Sequence, residues 1–148
     1  MQHQTGMSFI ELMVALLIVA ILACLAWSGY RESALNVRRA EARSALRILL
    51  LQQEHYMTVH HAYLPFNATT RPDPPFKWWS GETPDKSYYE LRADPCDDAP
   101  VSRCIVLSAV PGTVHVRHHN DPECGTLMLD SAHHQTHSTE SGNDATCW

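Results

Sequence analysis

Hydrophobic and polar positions divide this chain into three stretches with different periods. Every residue from Leu12 to Trp27 is apolar, and Met7, Phe9 and Ile10 extend the run, interrupted only by Ser8 and Glu11. The run is about as long as a membrane-crossing helix must be, and it lacks the polar stripe that a core helix keeps. Composition then turns to Arg31, Glu32, Arg38, Arg39, Glu41, Arg43 and Arg47, while Leu35, Ala42, Leu46, Leu49 and Tyr56 recur at helical steps. With no proline before Pro65, this spacing predicts that the same helix continues through residues 31–58 with one apolar stripe that a sheet must cover. Residues 64–84 are rich in Pro, Thr and turn formers and read as the loop from helix to sheet. Its Phe76, Trp78 and Trp79 are expected to pack over the sheet edge rather than form a contact patch for a neighbour. Strand patterns follow at 87–93, 104–110, 113–117 and 125–131, with a turn signal at Pro111-Gly112. The expected fold is α+β, a long N-terminal helix on a small antiparallel sheet within residues 87–131.

Composition narrows the function. The 148 residues suffice for one domain plus an anchor, and 11 Lys+Arg against 16 Asp+Glu give a formal net charge of −5. This acidic balance, without any Lys/Arg block, argues against nucleic acid as the principal partner. Cys24 lies in the apolar run and acts as a small apolar residue, leaving Cys96, Cys104, Cys124 and Cys147, an even number that implies an oxidising compartment. Four cysteines allow three connectivities; the preferred one joins nearest neighbours, Cys96 with Cys104 and Cys124 with Cys147. Such loops contribute about 2.5 and about 3.5 kcal/mol respectively in the chain-entropy account. No nucleophile elbow, P-loop or dinucleotide fingerprint occurs, so an enzyme is not expected, nor is a cofactor. The ten histidines, among them His115, His118, His119, His133, His134 and His137, invite a metal site, since a helix would put His133 and His137 on one face, but Gly, Ser and Asp crowd the following segment and no H-E-x-x-H occurs, so they read as solvated surface.

Glu11 needs a partner. An ionised carboxylate well inside a membrane helix costs about 2.5–3.5 kcal/mol even on insertion scales. Secretory signals are cut after their apolar stretch, whereas the small residue placed for a protease here is Gly6, just before it. Cleavage there would keep the helix and create an α-amino group at Met7, a cation four residues from Glu11 or from the Glu11 of a staggered neighbour.

Gly6 followed by Met7, Ser8, Phe9, Ile10, Glu11, Leu12 and Met13, then the apolar run, resembles the type IV pilin N-terminal signature. The stretch from Asp121 to Ser131 and the Cys147-Trp148 ending resemble the tail of PilE-type minor pilins. This resemblance implies a prepilin leader at 1–6, cleavage between Gly6 and Met7 by the prepilin peptidase, and methylation of Met7. It implies a transmembrane and assembly helix at 7–30 in which Phe9 and Glu11 serve assembly. A periplasmic domain at 31–148 would follow, with a disulfide-closed loop at 124–147. The implied function is a minor structural subunit of a type IV pilus, with roles in pilus assembly, twitching motility and adhesion. Its partners would be other pilin subunits and the inner-membrane assembly machinery. It would cross the inner membrane once before entering the extracellular pilus. A major pilin and a type II secretion pseudopilin are the alternatives, and a membrane-anchored, histidine-rich metal-binding domain is a more remote one.

Overall fold

A computed structural model of the chain describes residues 8–70, 76–139 and 144–148. The proposed cut between Gly6 and Met7, and the methylation of Met7, lie outside the described residues. The chain forms two compact units, one ending at Leu35 and one beginning at Asn36.

Helix α1 runs Phe9–His60. The Ser8 carbonyl accepts the first hydrogen bonds, from the N–H of Glu11 and of Leu12, so a favoured N-cap residue type stands where the apolar run begins. At the other end His61 takes a left-handed conformation (φ 58°) and its N–H returns to the Met57 carbonyl, closing the last turn. Within the first unit the helix is apolar, long enough to cross a membrane, and unburied over its most apolar window.

In the second unit the stripe becomes a core. Ala42, Leu46, Leu49 and Leu50 are buried together with Tyr89, Leu91, Ala93, Ile105, Leu107, Ala109, Leu127 and Leu129 from the sheet. The strands are β1 Tyr89–Pro95, β2 Ile105–Pro111, β3 Leu127–Asp130 and β4 Gln135–His137, antiparallel in the order β1-β2-β3-β4. Leu91 stands opposite Ala109, which stands opposite Leu127, and Ala93 opposite Leu107, opposite Leu129. The register therefore puts every second side chain of three strands on the face that α1 covers.

Two expectations about strands need correction. Residues 113–117 form turns, not a strand: Gly112 adopts φ 59°, Val114 is 95% exposed, and a Cβ on Gly112 would lie 2.0 Å from the His119 carbonyl oxygen. The alternation of Thr-Val-His-Val-Arg has a strand's period, but Gly112 turns the chain back so tightly that only Val116 is buried. Conversely, β4 forms among the tail histidines. The Asp130 carboxylate accepts the N–H groups of Ala132 and His134 and turns the chain, so that His137 pairs with Leu127.

The loop after α1 packs against β1 as expected. Phe66 exchanges both backbone hydrogen bonds with Ala93, and Leu91 donates to the Trp78 carbonyl. Phe76 is buried and Trp78 packs on the core. The structure pairs Cys96 with Cys104 and Cys124 with Cys147. A short helix α2, Asp144–Cys147, carries the last bridge.

Candidate functional site

Two surfaces and one buried network hold the chemistry of this chain. The first surface is α1 itself. Phe9 and Glu11 occupy its first turn, Phe9 is 75% exposed, and the large apolar residues from Ile10 to Leu25 are exposed as well. A lone water-facing helix of this composition is unfavourable, since each large apolar side chain left out of an apolar environment forgoes about 1.5–3 kcal/mol. Lipid or other helices are environments that would suit it.

The buried network fixes the tail to α1. Arg39 donates from Nε to Asp121 Oδ2 (2.8 Å) and from Nη2 to Asp121 Oδ1 (2.6 Å), and Nη2 also reaches Glu123 (2.9 Å). The Tyr89 hydroxyl donates to Asp121 Oδ2 and the Cys124 N–H to Asp121 Oδ1. Four donors thus converge on one buried carboxylate, which satisfies its lone pairs and makes burial of the pair tolerable. Burial pushes the Asp121 carboxyl up, but the Arg39 hydrogen bonds, with those from Cys124 and Tyr89, outweigh it and hold it below the usual carboxylate range. The Asp121 hydrogen bond raises the Arg39 guanidinium further, while burial and then the Asp121 charge raise the Tyr89 phenol. Beside this network the Cys124–Cys147 bridge holds the tail, Arg43 donates to the Trp148 carbonyl (2.9 Å), and the Trp148 indole donates to the Thr136 carbonyl (2.8 Å).

The second surface is cationic and aromatic. The Arg38 guanidinium lies 3.9 Å above the centre of the Tyr88 ring, and that of Arg117 lies 5.5 Å from it. Arg117 also donates to the Tyr88 hydroxyl (3.3 Å), and Arg38 donates to His119 Nδ1 (3.2 Å). Arg117 and His118 are exposed. Elsewhere the histidines make separate carboxylate contacts, His115 with Glu90 (3.0 Å), His134 with Asp130 (2.9 Å) and His133 with Glu54 (3.7 Å). Among the described residues no group of three or more His, Cys, Asp or Glu side chains converges as a metal site.

Against known families, residues 1–26 match the model of the prokaryotic N-terminal methylation motif. Residues 28–128, more than half of the chain, match the model described as type IV minor pilin ComP, DNA uptake sequence receptor. The chain belongs to the ComP type IV minor pilin family. A solved type IV pilin from Shewanella oneidensis is 24% identical, with 76% of this chain and 96% of that one covered and a TM-score of 0.45. No curated protein matches.

In this ComP-family pilin, Phe9 and Glu11 stand together in the first turn of α1, and Cys96, Cys104, Cys124 and Cys147 form the two bridges. The sequence reading missed Arg39, Gln53, Tyr89 and Asp121. A signal for two of them existed: 39, 42, 46, 49, 53 and 56 follow one another at alternating steps of three and four, so Arg39 and Gln53 stand inside the apolar stripe. A polar residue at such a position must find a buried partner. Gln53 finds the backbone of Leu64, accepting its N–H (2.9 Å) and donating to its carbonyl (2.7 Å).

Proposed function

We propose that this minor pilin is a filament subunit delivered through the membrane by α1. In this reading the peptidase removes residues 1–6 and methylates Met7, residues 7–30 anchor the chain, and the domain from residue 31 is periplasmic. The assembly machinery then transfers the helix from lipid into a bundle of like helices. The observation that carries this reading is the uncovered apolar start of α1, lying within the residues 1–26 that match the methylation motif, together with a second unit that has its own core. Phe9 and Glu11 serve assembly, with Glu11 taking the amine of a neighbouring subunit as its partner. An unpaired carboxylate in the bundle penalises a subunit out of register. An apolar groove of about 660 Å³, lined by Ile48, Leu51, Tyr56, Val59 and Phe76 among others, supports further subunit contact along the same helix. Support of pilus assembly, twitching motility and adhesion follows from filament membership.

Two measurements test this. Intact and N-terminal mass spectrometry should show loss of Met1 to Gly6 and one added methyl only with active prepilin peptidase; an uncut chain overturns the processing. Glu11→Ala should impair incorporation into sheared pili while the domain stays folded. Incorporation at the wild-type level rules out the assembly role of Glu11. A chain that made up most of the sheared pili would be a major subunit instead.

The family's description supports a second reading, DNA contact, and the Arg38, Tyr88 and Arg117 cluster is the surface suited to it. The net charge that argues against nucleic acid is a sum over the chain; a local patch of two arginines flanking an aromatic ring can engage a few phosphates. Two neutralised phosphates give a salt slope of about −2, and Arg117→Ala should lower its magnitude by about 1. Duplex binding that ignores both salt and Arg117→Ala excludes this surface.

A further inference from the structure

His119 stands out as a titratable ring for which neither assembly nor DNA contact has a use. It is 8% exposed, set edge-on between the rings of Tyr88 (5.4 Å) and Tyr89 (5.6 Å). A guanidinium only donates, so the Arg38 contact at Nδ1 makes that nitrogen the acceptor and places the ring proton on Nε2. Nε2 is buried and has no hydrogen-bond partner among the described residues. The groups that face the ring are Arg38 and Arg39 from α1, Tyr88 and Tyr89 from β1, and His118 and Asp121 from its own loop. Asp121 is the anion among them, and its oxygens are already occupied by Arg39, Tyr89 and Cys124.

We propose that His119 is a proton-operated latch on Arg38: neutral, its Nδ1 holds the guanidinium over Tyr88, and protonated, it releases Arg38 to solvent. A proton taken from solvent by Nδ1 converts the acceptor into a donor and sets a cation against a cation, so the contact turns from attractive to repulsive. The released arginine is then free for an anionic partner, and an anion that engages it favours protonation of His119 in return. That consequence rests on the DNA-contact reading, whereas the latch itself does not. Burial, and then the Arg38 charge, lower the His119 pKa from the ordinary histidine value, which puts the transition on the acid side of neutrality.

The test is a side-chain NMR titration of the isotopically labelled full chain in detergent micelles, from about pH 8 to about pH 4.5, across the histidine range. The Arg38 Nε–H resonance should carry the ring-current shift of Tyr88 at high pH and lose it with the same midpoint as the His119 ring. In His119→Asn the amide oxygen stands where Nδ1 stood and takes no proton, so the shift should persist throughout. An Arg38 resonance that stays constant while His119 titrates overturns the latch, and so does a His119 ring that stays neutral to the acid end. The wild-type titration decides this even where His119→Asn does not fold. A duplex that fails to bind at both ends of the titration, with His119 neutral and with it protonated, removes the DNA reading and leaves the latch standing.

Discussion

The two halves of α1 are one helix built to two specifications. From Phe9 to Leu25 its large side chains are exposed, and no polar residue between Leu12 and Leu25 breaks the surface. From Asn36 the apolar positions narrow to a stripe under a sheet, and the two polar residues within that stripe are each matched, Arg39 by the buried Asp121 and Gln53 by the backbone of Leu64. The difference teaches where each half gets its partner. The second half carries its own covering in the same chain, while the most apolar window of the first is uncovered.

The largest effects should come from breaking the partnerships of the second half. Replacing Cys124 and Cys147 together by serine should cost about 3.5 kcal/mol by the loop-entropy estimate, visible as a lower unfolding midpoint without reductant. Asp121→Ala leaves buried Arg39 with only the exposed Glu123 as an anionic partner, and should destabilise the domain by about 3 kcal/mol in urea unfolding while the helicity of the first half stays intact. Gln53→Leu orphans the Leu64 N–H and carbonyl and should cost about 1–3 kcal/mol.

Acid should act on the second half in two stages. His119 is held neutral by burial, so stability declines as pH falls from the ordinary histidine value toward its lowered one. Asp121, whose pKa is lowered in the folded state, keeps its contribution above the ordinary carboxylate value and loses it as pH falls through the lowered one. Far-UV circular dichroism against pH checks both stages. The smallest effect sharpens the contrast from the other side: Leu17→Ala, at an exposed position, should move the domain's unfolding by less than about 0.5 kcal/mol.

Much of this was legible in the residues because the signals were local. An unbroken apolar run, a stripe at helical steps and cysteines close in sequence each declare themselves within a short window. The strand expected at 113–117 failed because one left-handed glycine outranks a short alternation, and β4 was hidden because its residues are polar and its hairpin depends on Asp130. Arg39 and Asp121 lie 82 positions apart, so their pairing is a product of the fold, and only the odd placement of Arg39 in the stripe hinted that a partner existed.

The loop on β1 has a consequence for how such subunits associate. Phe66, Trp78 and Ser80 occupy backbone groups that β1 would otherwise present outward, and at the far side β4 is only three residues long. A foreign strand finds little to zip onto at either margin, so runaway strand-to-strand polymerisation is suppressed. If copies join as proposed above, that closure is a choice of route, leaving the helix to set their order and number.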